Sequence, residues 1–129
     1  MIQRIQSLYL LLAVLLSSGL LYLSNVTEYA SSLESFFSVN HGFYLIPFLT
    51  LIALLLFKKR KIQVVLILLI ILFTLFPIVF YVQEIYNGVQ ASALYATVSI
   101  YLLNIIFLFL ARRGIIKDEK LIRSIDRIR

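Results

Sequence analysis

Four long apolar runs divide the chain, separated by polar or charged segments. The first, residues 5–24, carries no charge, and its 20 residues at ~1.5 Å each match the ~30 Å hydrocarbon layer of a bilayer. Further runs cover residues 42–57, 62–81 and 91–110, and the block Val64–Phe73 is apolar on every face, as contact with lipid or with several helices requires. Links this short make successive helices antiparallel neighbours. The pattern therefore predicts an all-α membrane protein: an antiparallel up-and-down four-transmembrane-helix bundle over residues 1–111, followed by a basic amphipathic cytoplasmic tail at 112–129.

Details within the runs refine this. The first run follows Arg4, but it is too long for a signal-peptide core and no A-x-A site follows, so it is read as a span. The second run has 16 residues, short for a crossing; the helix is expected to borrow from residues 36–41, or to tilt little and thin the bilayer. Pro47 and Pro77 fall in the outer parts of the second and third spans, where they predict kinks. In the polar stretch 25–41, Ser31 and Glu34 have capping-box spacing for a short surface helix, with Leu33, Phe36 and Phe37 toward the lipid boundary. Asn25-Val26-Thr27 matches a glycosylation acceptor, too short a pattern beside the bilayer to carry weight. Val82–Gln90 reads as a polar turn containing Asn87-Gly88.

The tail has helical periodicity. At ~100° per residue Ile115, Leu121, Ile122, Ile125 and Ile128 share one stripe, and Glu119, Lys120, Arg123, Ser124, Asp126 and Arg127 lie opposite. Glu119 and Arg123 have the favourable i, i+4 order. The stripe suits the inner leaflet, with arginines on phosphates, and equally suits a partner protein. Gly114 is the expected flexible point at which the tail turns away from the fourth span.

Charge orients the pattern. With 62% hydrophobic residues the chain lies beyond the ~45–50% of soluble domains, so its net +6 does not read as nucleic-acid binding. Arg4, the tetrad Lys58-Lys59-Arg60-Lys61, and Arg112, Arg113, Lys117, Lys120, Arg123, Arg127 and Arg129 are all 12 basic residues. Four spans put every one on one side, with Asp118, Glu119 and Asp126, for a net +9; Glu28, Glu34 and Glu84 leave −3 on the other. The positive-inside rule then places both termini and the tetrad in the cytoplasm, beside anionic inner-leaflet headgroups. Tyr22, Tyr29, Tyr44, Tyr81, Tyr86 and Tyr95 gather near the outer boundary, where amphipathic rings are favoured.

Little in the spans suggests chemistry. No Asp, Glu, Lys, Arg or His is clearly embedded, which argues against a pump or coupled transporter. There is no cysteine, no G-x-S-x-G and no H-E-x-x-H, and the single His41, near Glu34, is read as a loop residue, so no catalytic, cofactor or metal site is expected. Polar packing is expected instead: Asn104 hydrogen-bonded to Tyr9, and close approach of the first and fourth spans at the small residues Ser17, Ser18, Gly19 and Ser92.

The two ends carry a more specific signal. MIQRIQSLYLLLA at residues 1–13 and ARRGIIKDEKLIRSIDRIR at 111–129 resemble the ends of a bacterial family of small four-span membrane proteins catalogued as domain of unknown function 4293. The resemblance implies an inner-membrane protein of unassigned activity, and no catalytic residue carries over from it. It also implies that Lys117, Asp118, Glu119, Arg123, Ser124, Asp126 and Arg127 belong to a defined closing element. The expectation is a non-catalytic subunit that binds a membrane or cytoplasmic protein through the tetrad and through Arg112, Arg113, Lys117, Leu121, Ile122, Arg123, Ile125, Arg127 and Ile128. The alternative is a small oligomeric passive channel or transporter lined by Asn104, Thr97 and Ser99, and the third reading an intramembrane enzyme using the outer glutamates.

Overall fold

The computed structural model describes residues 2–26, 39–88 and 92–126. They form four helices, α1 (Ile2–Val26), α2 (Val39–Leu55), α3 (Arg60–Tyr86) and α4 (Ser92–Asp126), with no strand among the described residues. Each apolar run nucleates one helix. Two of them, Arg60–Gln83 in α3 and Leu94–Ser124 in α4, are long and apolar enough to cross a membrane, while α1 and α2 hold the shorter apolar stretches Ile5–Leu20 and Leu45–Leu55. The short second run does borrow upstream, since α2 starts at Val39. The expected surface helix near Ser31 lies outside the described residues, as do Arg127, Ile128 and the side chain of Ile125, whereas His41, read as a loop residue, falls in the first turn of α2 because the helix starts upstream of the apolar run.

The helices pack in a cycle: α1 against α2 and α4, and α3 against α2 and α4, with the α1–α4 contact the most extensive. Inward positions recur at intervals of three and four, as in Leu10, Ala13, Ser17 and Leu20 on α1, or Tyr101, Asn104, Leu108, Ala111, Ile115 and Asp118 on α4. A repeat averaging about 3.5 residues is a narrow seam, and Ala13, Ala53 and Ala111 at fully buried points of it let neighbouring backbones approach. The rest of each helix is covered with large apolar side chains facing outward: Leu15, Phe48, Val65 and Phe76 are all more than half exposed. Ser17, Thr50, Gln63, Thr74 and Asn104 are inside instead. This is the reverse of what water imposes on a folded chain.

Local bonds close the ends. Residues 56–59 link α2 to α3 through Lys59 N–H donating to Leu56 O at 3.0 Å, while the buried Gln63 side chain donates through Nε2 to Ala53 O, also at 3.0 Å. Gln63 thus satisfies a carbonyl in the last turn of α2, where no further helical N–H is available. At its far end α3 closes with Asn87 N–H on Gln83 O and Gly88 N–H on Ile85 O, and Gly88 takes φ +90°, open to glycine without strain. The helices continue through Pro47 and Pro77, and Thr50 Oγ1 donates back to Pro47 O at 2.9 Å.

The tail departs from expectation. Gly114 is not a hinge: α4 runs unbroken for 35 residues, ~52 Å at the helical rise. A Cβ at Gly114 would lie 2.9 Å from Cγ of Gln6, so the missing side chain makes room for α1. Beyond it Ile115 and Asp118 are buried, which splits the expected stripe, since Leu121 and Ile122 stay exposed.

Candidate functional site

The sequence places the basic tetrad 62 to 65 positions before Arg123, and the fold brings the two to one end of the molecule. Gln6 Nε2 donates to Asp118 Oδ2, tying the start of α1 to the late part of α4. On the other flank of α4 a groove of about 590 Å³ is lined by Lys58, Lys59, Arg60, Lys61 and Ile62 from the α2–α3 link and first turn of α3, and by Glu119, Ile122 and Arg123. The tetrad and the α4 extension therefore form one surface. Arg60 and Lys61 already belong to α3, which fixes their spacing to helical geometry.

Electrostatically the groove is unbalanced. Five cations face one carboxylate, and that carboxylate, Glu119, accepts from Arg123 Nη2 in the i, i+4 pair anticipated from the sequence. Lys58 Nζ sits 6.0 Å from the centroid of the Phe57 ring, at the edge of cation–π range. Arg60 Nη1 is buried with no hydrogen-bond partner among the described residues. No side chain caps α3 and its first turn holds no acidic residue, so the partial positive charge of the helix N-terminus adds to the field. Around the groove Arg113, Lys117 and Lys120 are exposed and Arg112 is half-buried with its Nε unpartnered among the described residues.

The interior polar residues are arranged differently from the expectation. Asn104 does not bond Tyr9: the Tyr9 ring stacks on Phe107 at 6.2 Å, three residues further along α4, and neither Oδ1 nor Nδ2 of the fully buried Asn104 has a partner among the described residues. The helices α1 and α4 do meet, but the small residues expected there divide. Ser17 is buried with Oγ donating to Val14 O at 3.0 Å, whereas Ser18 and Ser92 are exposed, Ser18 bonding Leu15 O at 2.8 Å, and Gly19 faces open space. Serine satisfied by its own helix can face outward without cost, so small size alone does not fix the packed face. Ser99 is likewise exposed, its Oγ donating to Tyr95 O at 2.8 Å, while Asn104 lies inside the bundle.

Three structurally decisive residues escaped the sequence reading: Gln6, Gln63 and Asp118. Continuing the seven-residue step from Asn104 through Ala111 would have reached Asp118 and placed it inward. Gln6 and Gln63 sit at the charged ends of apolar runs and carry no comparable signal.

No curated protein and no solved structure matches this chain. A family described as a domain of unknown function, DUF4293, matches residues 2–128, so nearly the whole chain is accounted for and the protein belongs to that family.

Proposed function

We propose that the protein is a four-span protein of the bacterial cytoplasmic membrane, with its termini and tetrad on the cytoplasmic side, acting as a non-catalytic partner-binding or scaffolding subunit. The outward-facing Leu, Val and Phe side chains on all four helices support lipid around the bundle. The complete segregation of Lys and Arg supports the orientation. The observation that carries the functional reading is the unbroken α4: ~52 Å of helix exceeds the ~30 Å apolar layer by ~20 Å, leaving a rigid arm. That arm is braced on one flank by Gln6 and lies beside the tetrad on the other. Its free face holds Leu121, close to half exposed, among basic residues, while Ile122 on the same turn lines the groove. A pre-ordered helix loses less entropy on docking than a disordered tail would.

The structure shapes the test. Deleting residues 112–129 would also remove the buried Ile115 and Asp118, so the informative forms end after Glu119 or carry Leu121→Glu with Ile122→Glu. Affinity purification of these beside the full chain from membranes should lose a specific partner. Recovery of the same partners with every form would refute the reading.

A further inference from the structure

We infer that the groove between the first turn of α3 and the α4 extension is a binding site for the phosphate headgroup of one anionic phospholipid. The site is built from two elements distant in sequence: four consecutive cations from the link and α3, and Arg123 from α4. Glu119 neutralises only Arg123, which leaves the tetrad without a counter-charge in the groove. Two further features point to an oxyanion. Arg60 Nη1 is buried with no acceptor among the described residues, although a guanidinium N–H withdrawn from water requires one. The start of α3 lacks a capping side chain, and free N–H groups there suit a phosphate oxygen.

The lining also selects what carries the phosphate. Ile62 and Ile122 make part of the groove wall, which a free, fully hydrated anion would not need. From Ile62 the exposed apolar surface continues along α3 through Val65 and Leu69, three and seven residues on and so on one face of the helix. An acyl chain can follow that face while its headgroup stays in the groove. The inference rests on the membrane placement proposed above, and it makes the lipid a defined ligand of one site rather than a diffuse counter-ion layer.

The test uses the purified full chain in neutral detergent, titrated with phosphatidylglycerol or phosphatidylcholine and read by native mass spectrometry. The first phosphatidylglycerol should bind at least tenfold tighter than phosphatidylcholine. At about fivefold for each charge, Arg60→Gln with Lys61→Gln should weaken it by roughly twenty-five-fold, and Lys59→Gln with Lys61→Gln, both exposed, should do the same without touching Arg60. Glu119→Gln frees Arg123 and should tighten binding severalfold, an effect that mere loss of packing would not produce. Lys117→Gln with Lys120→Gln removes equal charge outside the groove and should change little. Equal losses from groove and outside pairs, or equal affinity for the two lipids, would overturn the site. Displacement of the lipid by excess inorganic phosphate would assign the groove to a soluble anion instead. Alkaline extraction of the chain from phosphatidylglycerol vesicles is read separately: release would overturn the membrane placement and the lipid with it, whereas a retained chain failing the headgroup comparison would overturn the lipid site alone.

Discussion

Gly114→Ala distinguishes a close contact from a hinge by the sign of its effect. In an exposed or hinge-like helix position, alanine for glycine stabilises by about 0.8–1 kcal/mol through helix propensity. Here the new methyl would stand 2.9 Å from Gln6 Cγ, with Cδ and Nε2 both at 3.5 Å. A free glutamine could swing aside at little cost, but this one is held at its far end by Asp118. Moving it breaks a hydrogen bond to a buried carboxylate, worth about 1.5–3 kcal/mol. The loss exceeds the gain, so Gly114→Ala should destabilise by about 1 kcal/mol. In a Gln6→Ala background the obstacle is gone and the same substitution should stabilise by about 1 kcal/mol, a coupling of about 2 kcal/mol between the two sites. Unfolding by SDS titration in mixed micelles, followed by far-ultraviolet circular dichroism on the four forms, measures the cycle. Stabilisation by Gly114→Ala in both backgrounds would refute the contact argument and restore the hinge.

Three further perturbations follow from the interior. Asn104→Leu exchanges an unpartnered buried amide for an apolar side chain of similar size and should stabilise by about 1–2 kcal/mol in the same titration; a loss of that size would mean the amide has a partner. Gln63→Ala leaves Ala53 O without its donor and should cost about 1–2 kcal/mol, with faster amide exchange at residues 56–59 as the local signature. Ala111→Leu places three extra heavy atoms at a fully buried seam position and should cost about 1–3 kcal/mol, while Leu110→Ala, exposed beside it, should cost far less.

Much of the helical content was legible because a long unbroken apolar run satisfies its backbone hydrogen bonds most simply within one helix. Residues 62–81 fall inside α3 and all described residues of the 91–110 run inside α4, and the four-residue link at 56–59 contains half of the basic tetrad. The Glu119–Arg123 pair was legible as well, since i, i+4 neighbours on a helix meet whatever surrounds them. Inward and outward faces were harder to read. When both faces of a helix are apolar, hydrophobicity no longer marks the buried one, and the seam is set by size and by what each helix meets. Hence Ser17 packs while Ser18 and Ser92 do not, and Asn104 makes no hydrogen bond to Tyr9.

By itself the sequence determined the helices, their order and the clustering of basic residues between and after the apolar runs, because these follow from composition and rise along one chain. Only the tertiary structure decided what Gly114, Gln6 and Asp118 do. A glycine in a helical pattern is a hinge or a contact depending on what lies opposite, and the opposite residue here is more than a hundred positions away. The same is true of the basic groove. Lys58 to Lys61 is a charge run in one dimension; it becomes a groove with Arg123 only because the packing of α4 against α3 fixes both walls at once.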